Sequence, residues 1–281
     1  MGKLFIVEPH ESTHTDVISK GLQLAKLLGK TPEIFAYCYE YFYGDRVIYE
    51  EAKQQLQEHK RQQLTERLKQ LDASDVPLHV VWSKYLYEHV TEYAANEGFD
   101  LVVKGIHPSE HMLPTDWQLL RTTKVPVMLL TQNPLQHGSS VLMALDLDTE
   151  NPQKQQLNQQ VLHHARELAT ATGGELHLAY VLRVPRLIRD LEVLNVQQLI
   201  KDAYRRHQLT LEEMGLPKEQ IHIICGEPDL CLYQLACRLK SDYLVMGARQ
   251  RQGLMGWMLG NTAEQILQRI RSDVLVIPSA G

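Results

Sequence analysis

The chain has 281 residues, of which 44% are hydrophobic and 22% charged, a mixture typical of a globular protein rather than of a disordered or fibrous one. Its 29 basic and 34 acidic side chains give a net charge of −5, which argues against a protein that coats nucleic acid, because phosphate contacts require a basic excess. A length of 281 residues suggests about two domains of ordinary size.

Three features predict a cytoplasmic protein. The apolar run at residues 4–7 is too short for a signal peptide. No apolar stretch approaches the roughly 20 residues that cross a bilayer, so no association with a membrane is expected. The four cysteines, at positions 38, 225, 231 and 237, are too few to staple a secreted scaffold, and we interpret them as reduced thiols.

The sequence contains two copies of one unit. Residues 3–8 and 141–146 each form a short apolar strand that ends on a carboxylate, Glu8 or Asp146. An amphipathic helix follows each of these strands, and in the second copy Pro152 opens it and Gly173-Gly174 end it. A long amphipathic helix is predicted after the second strand of each copy, at about 47–71 and about 193–214. Further strands, with helices between them, are predicted at 34–39, 79–82, 100–105 and 127–130, and again at 176–181, 222–225, 242–247 and 274–277.

Each copy therefore has the order βαβαβαβαβ. Helical crossovers between successive strands produce a parallel sheet that is covered on both faces, which agrees with the nearly continuous apolar strands. The polar stretch 132–140 is the best linker, so we place the domains at 1–136 and 137–281. The predicted fold is α/β, with two tandem Rossmann-like domains that each contain a five-stranded parallel sheet flanked by helices.

The end of the second copy has a glycine pattern after its fourth strand. Gly247 ends that strand, and Gly253 and Gly260 follow before Asn261 and Thr262 open the last helix. This segment resembles the universal stress protein family, whose signature is Gly-x2-Gly-x9-Gly-Ser/Thr, and the duplication resembles the family's tandem members. The resemblance implies a stress-response protein, often nucleotide-binding, with domains of the adenine nucleotide alpha hydrolase-like type.

The residues of the second copy agree with a nucleotide site on physical grounds. Ligands of open parallel sheets bind at the carboxyl ends of strands, and the start of a helix favours phosphate. Asp146 would accept a hydrogen bond from the ribose or the base, and Arg249 would neutralise phosphate charge. ATP is the expected ligand, and the predicted binding residues are Asp146, Val181, Met246, Gly247, Arg249, Gly253, Gly260, Asn261 and Thr262.

Departures from the signature leave a second interpretation open. By the family's spacing, Gln250 stands at the second glycine and Asn261 at the serine or threonine. Gln250 brings a side chain to the place where the backbone would meet a phosphate. The segment can equally be a simple glycine-rich connection with Asn261 as a helix cap, and Asp146 a turn residue.

The first copy departs further from the signature. Its loop before the last helix is five residues shorter, and Pro114, which stands in place of Asn261, offers no backbone N–H to a phosphate. Nucleotide binding is therefore expected only in the second copy.

The loops of the first copy contain candidate metal ligands. Glu8, His10 and His14 follow its first strand, while His107 and His111 follow its fourth. Imidazoles combined with a carboxylate would suit zinc. Exposed loop histidines without a metal are the favoured interpretation.

The leading hypothesis is a non-enzymatic stress-response protein whose second copy binds ATP, with at most slow and incidental ATPase activity, because no nucleophile–base pair stands out. One alternative is a scaffold or signalling protein without nucleotide. Another is a binder of a different small, partly apolar ligand, suggested by the apolar residues within 254–259. The resemblance also implies that the two halves associate as an internal pseudo-dimer. A homodimer of tandem chains and an unidentified protein partner stay open.

Overall fold

The computed structural model describes residues 2–8, 16–41, 46–106, 114–133, 135, 140–184, 195–253 and 256–279. The chain divides into two compact units, Met1–Leu135 and Gln136–Gly281. Among the helices within the described ranges, none combines the length and the apolar character needed to cross a membrane.

The first unit alternates strands and helices. Its described strands are β1 (Lys3–Glu8), β2 (Thr31–Cys38), β3 (Leu78–Trp82), β4 (Leu101–Gly105) and β5 (Val127–Leu130). Its described helices are α1 (Val17–Leu27), α2 (Arg46–Gln70), α3 (Leu86–Asn96) and α4 (Pro114–Thr122). The strands pair in parallel in the order β3-β2-β1-β4-β5.

The second unit repeats this order. Its main strands are β6 (Ser140–Ala144), β7 (Glu175–Arg183), β8 (Ile221–Gly226), β9 (Ser241–Ala248) and β12 (Asp273–Pro278). They pair in parallel in the order β8-β7-β6-β9-β12. The described helices are α5 (Pro152–Thr172), α6 (Val196–Arg206), α7 (Gln208–Glu213), α8 (Pro228–Leu239) and α9 (Asn261–Arg269), and an antiparallel hairpin joins β10 (Gln250–Gly253) to β11 (Gly256–Leu259).

The predicted α/β architecture is confirmed, because each unit has a five-stranded parallel sheet with helices between successive strands. The central strands are buried along nearly their whole length, as expected where helices cover both faces. Two helix signals are also confirmed. Pro152 opens α5, where the side chain of Asn151 also caps the helix by accepting hydrogen bonds from the N–H groups of Gln153 and Lys154. Gly173 ends the helix in the left-handed conformation at φ 69°.

Two local predictions are wrong. The amphipathic helix predicted to run to about residue 214 is divided at His207 into α6 and α7. The connection after β9, predicted to be a glycine-rich loop, contains the hairpin β10–β11. The hairpin alters the edge of the sheet at which the ligand was expected.

Candidate functional site

A cavity of ≈ 570 Å³ opens at the carboxyl ends of the central strands of the second unit. The chain leaves β6 toward β7 on one side, whereas β9 lies on the other side of β6. Strand order therefore reverses at β6, and connections that depart in opposite directions leave a crevice between them. Asp146 after β6, Val181 on β7 and Gly247 on β9 all line this crevice.

The cavity brings together eight of the nine predicted nucleotide-binding residues: Asp146, Val181, Met246, Gly247, Arg249, Gly260, Asn261 and Thr262. The described lining does not include Gly253. That residue lies on β10 opposite Gly256, because the hairpin carries this part of the chain away from the end of β9.

The start of α9 lines the cavity with backbone N–H donors that have no partner among the described residues. Gly260 caps the helix without any side-chain hydrogen bond, and its own N–H donates to the carbonyl oxygen of Arg249 at 3.0 Å. No described residue accepts a hydrogen bond from the N–H groups of Asn261, Thr262 or Ala263. Together with the positive end of the helix dipole, these donors form an arrangement suited to an anion.

The two motif glycines serve different purposes. A Cβ added to Gly260 would meet only the carbonyl oxygen of Arg249, at 3.8 Å, and the φ of −66° does not require glycine. A Cβ on Gly247 would lie 2.7 Å from Cγ and Cδ2 of Leu157. Gly247 is therefore needed for the close approach of α5 to β9, whereas Gly260 leaves open space at the start of α9.

Asp146 is held at the rim of the cavity by two side chains of α5. Lys154 Nζ lies 2.8 Å from Oδ2 of Asp146. Asn158 accepts the N–H of Asp146 at 3.3 Å and donates to its carbonyl oxygen at 2.8 Å. The sequence analysis missed Lys154 and Asn158. They could have been found from the sequence, because they are four residues apart on the helix that follows Asp146 and therefore share one helical face.

The hairpin changes the expected phosphate loop. Gln250 pairs with Leu259 across the hairpin, and its backbone N–H donates to Oγ of Ser279 at 3.1 Å. The donor at the position of the family's second glycine is therefore engaged within the protein. From the other strand, buried Leu259 and half-exposed Met258 contribute apolar surface to the cavity.

The connection that carries Asp146 is anchored on β7 and at the end of α6. The carboxylate of Asp148 accepts a hydrogen bond from the Tyr180 hydroxyl, and it lies 2.8 Å from Nη1 of Arg206 and 2.9 Å from Nε2 of His207. Burial alone would raise the pKa of Asp148, but these three partners outweigh it, and the pKa falls below its ordinary value of 3.8.

The metal candidates of the first unit are not assembled in the part that the structure describes. His10, His14, His107 and His111 lie outside the described residues. Burial raises the pKa of Glu8, and Lys60 and Arg67 oppose that rise. Within the described ranges, no group of three or more His, Cys, Asp or Glu side chains could hold a metal ion.

Comparison with known proteins agrees with the fold. The model of the Universal stress protein family matches residues 141–278. Universal stress protein E of Escherichia coli strain K12 is 30% identical over 214 residues, which cover 72% of this chain and 68% of that protein. The chain belongs to the universal stress protein family. The family resemblance of the glycine segment is thereby confirmed, and membership supports a role in the response to stress.

Solved structures of universal stress proteins match the whole chain. One from Archaeoglobus fulgidus DSM 4304 covers 99% of this chain and 98% of its own, with a TM-score of 0.72 and 17% identity. A Pseudomonas aeruginosa UCBPP-PA14 structure that bears the universal stress protein name covers 99% and 93%, with a TM-score of 0.75 and 24% identity. At these identities the likeness shows the fold, which is that of a tandem universal stress protein.

The contrast between the two glycines predicts different stability effects. Gly247→Ala should lower the free energy of unfolding by about 1–3 kcal/mol, because the new methyl group overlaps Leu157 in a packed interior. Gly260→Ala should change it by less than about 0.5 kcal/mol, because the new methyl group has space. Urea denaturation of both variants measures the difference, and equal losses would contradict the separate roles.

Asp148→Asn should lower the free energy of unfolding by about 1 kcal/mol at neutral pH, a modest loss because the carboxylate is partly exposed. A carboxylate with a lowered pKa stabilises the fold above its unfolded-state pKa, and this contribution disappears as the pH falls through the folded-state value. The difference from the wild type should therefore vanish in acid. Asp202→Asn is the matched control: its carboxylate lies 3.7 Å from Nη1 of Arg205 and accepts a hydrogen bond from Gln198, both on the surface of α6, and it should show little effect at any pH.

Proposed function

We propose that the second unit binds a nucleotide such as ATP, and that the protein acts in the cytoplasm in the response to stress by binding rather than by catalysis. The proposal rests on one observation: the carboxyl ends of parallel strands and the start of a helix line the same cavity. The carboxyl ends of β6, β7 and β9 line it, and so does the start of α9, whose first N–H donors find no acceptor in the described part of the chain.

The size and lining of the cavity suit a nucleotide. Its ≈ 570 Å³ lies within the roughly 300–1,000 Å³ of small-ligand sites. Val181, Leu232 and Ile266 give it an apolar interior that suits a planar base. Its polar lining includes Asp146, Asn158 and Thr262, which suit a ribose and phosphates.

Charge complementarity favours phosphate at the α9 end. Three backbone N–H groups, at Asn261, Thr262 and Ala263, face an anion together with the helix dipole. Arg249 and Lys154 line the same cavity and bring two positive charges. The exposed ion pair of Lys154 with Asp146 is weak enough to exchange, so that Lys154 binds phosphate and Asp146 accepts a ribose hydroxyl.

The residues that line the cavity support binding of ATP without its hydrolysis. It contains no histidine or cysteine, and its one carboxylate, Asp146, pairs with Lys154. A hydrolase would need a group that activates water or serves as a nucleophile. We therefore propose no more than a slow, incidental ATPase activity.

A second candidate ligand is a different small molecule with an apolar part. Met258 and Leu259 of the hairpin line the cavity beside Leu232, and the side chain of Met258 is half exposed. A ligand of this kind would compete with ATP for the apolar interior without needing the donors of α9. Loss of ATP binding on substitution at Gly260 separates the two candidates, because only the phosphate-bearing ligand depends on that end.

Gly260→Asp tests the site without weakening the fold. Aspartate is a favourable helix cap, so the stability of α9 should be kept or improved. Its carboxylate would occupy the donors and repel phosphate, so the affinity for ATP in titration calorimetry should fall by at least about a hundredfold, roughly 2.7 kcal/mol.

Tyr85→Asp is the matched control for this variant. Tyr85 caps α3 in the first unit without a side-chain hydrogen bond and is largely exposed. The substitution adds the same charge at a helix start far from the proposed site in sequence, and it should leave the affinity for ATP unchanged. Equal losses from both variants would mean that net charge, rather than the start of α9, governs binding.

Arg249→Ala tests the charge at the same end. Removing this guanidinium should weaken ATP binding about tenfold, or 1.4 kcal/mol, and should make the affinity less dependent on salt. Arg205→Ala, at an exposed arginine of α6, is the control and should change neither quantity. An unchanged affinity in Arg249→Ala would remove Arg249 from the site.

A further inference from the structure

We infer that the first unit holds a filled copy of the ligand site, in which Phe35, Tyr37, Lys104 and Asp116 replace a bound ligand, so that the chain binds one nucleotide rather than two. That these residues replace a nucleotide rests on the function proposed for the second unit. The filling itself is a feature of the first unit alone.

Strand pairing identifies the corresponding positions. Lys104 and Met246 each precede the glycine at the end of the fourth main strand of their unit. Lys104 lies opposite Val7 on β1, and Met246 lies opposite Ala144 on β6. Lys104 therefore holds in the first sheet the place that Met246 holds in the second.

The next strand gives a second pair of correspondences. Val7 lies opposite Phe35 on β2, and Ala144 lies opposite Ala179 on β7. The outer strands agree, since Phe35 is paired with His79 and Ala179 with His222. Phe35 thus corresponds to Ala179. Two residues further on, on the same face of the sheet, Tyr37 corresponds to Val181.

The last helix gives the fourth correspondence. Helices α4 and α9 each have nine residues and each precede the last strand of their unit. Asp116, the third residue of α4, therefore corresponds to Ala263, the third residue of α9. Ala179, Val181, Met246 and Ala263 all line the cavity of the second unit.

The four counterparts in the first unit are buried. Relative exposure is 1% for Phe35, 1% for Tyr37, 3% for Lys104 and 0% for Asp116. Phe35 and Tyr37 replace an alanine and a valine of the second unit. The ion pair of Lys104 with Asp116 replaces a methionine and an alanine. At the corresponding positions the first unit therefore buries larger side chains than the second unit has.

The ion pair reproduces the charge pattern proposed for the ligand. Asp116 lies in the first turn of α4, so its carboxylate is the anion that a helix start favours. Lys104 Nζ donates to this carboxylate and lies 3.3 Å from the carbonyl oxygen of Gly105. A carboxylate with a lysine partner thus replaces a phosphate with its basic side chains.

The aromatic part is fixed equally firmly. Phe35 stacks on Phe5 at 4.0 Å and on His79 at 4.4 Å between ring centroids. The hydroxyl of Tyr37 lies 2.8 Å from Nδ1 of His89 on α3. Burial raises the pKa of Tyr37 and lowers that of His89, so that it favours the neutral form of both groups. The rings therefore form a packed apolar layer on the positions that correspond to the cavity floor.

Removal of the internal anion tests the inference directly. Asp116→Ala in the full chain leaves the buried ammonium of Lys104 without its carboxylate, and the melting temperature should fall by roughly 10 °C or more. A small anion can then enter the space that the carboxylate left. Acetate or inorganic phosphate, compared with chloride at equal ionic strength, should restore at least half of the loss beyond any shift that the wild type shows.

The double variant Lys104→Met, Asp116→Ala is the matched control. With neither charge present, it should be more stable than Asp116→Ala and should show no shift with acetate or phosphate beyond that of the wild type. Rescue of the single variant alone supports the inference. No rescue, or equal rescue of both variants, overturns it.

A second measurement decides the matter if Asp116→Ala does not fold. Native mass spectrometry with ATP should find one nucleotide per wild-type chain and none on Gly260→Asp. Two nucleotides per wild-type chain, or binding to Gly260→Asp as tight as to the wild type, would overturn the inference. If ATP fails to bind the wild type, the proposed function fails, and the anion rescue, which uses no nucleotide, still decides whether the first unit is filled.

Discussion

The close approach of α5 to β9 determines the geometry of the candidate site. Gly247 has no side chain, so Leu157 packs directly against the carboxyl-terminal part of β9. This contact fixes the face of α5 on which Lys154 and Asn158 lie, one turn apart on either side of Leu157. Those two side chains in turn hold Asp146 at the rim of the cavity. The absence of a side chain at Gly247 therefore affects the positions of residues on β9, on α5 and in the connection after β6.

The start of the last helix imposes the same electrostatic requirement in both units. Its first backbone N–H groups have no partner within the helix and favour negative charge. In the first unit Asp116 meets this requirement from within the chain, and Lys104 compensates the buried carboxylate. In the second unit Ala263 stands in that place, and the described residues supply no acceptor for the donors. The two units thus share one fold and differ at the third residue of this helix, although α9 carries a carboxylate one position later, at Glu264.

The sequence predicted the fold and eight of the residues that line the candidate cavity, because those features depend on local signals. Apolar strands, Pro152 after its cap, and the glycine at 173 are each recognisable within a few residues. The hairpin β10–β11 could not be predicted in this way, because it depends on pairing across the turn and on the bond from Gln250 to distant Ser279. The match of Glu8 with Asp146 was wrong by one residue. Strand pairing places Val7 with Ala144, so Glu8 corresponds to Leu145.

The filled copy also explains why bulky residues in the first unit gave no useful signal by themselves. Phe35, Tyr37 and Lys104 each lie in an apolar strand, where a large buried side chain is unremarkable. Only alignment of the two sheets through their pairing shows that their counterparts line a cavity. A buried lysine–aspartate pair adds little stability compared with apolar residues of similar volume, because both charges lose their hydration. Packing alone would therefore be served as well by Met and Ala, the residues of the second unit. The pair adds an anion with a basic partner at the start of α4. In the second unit, we propose that the phosphates of a ligand supply this anion at the start of α9.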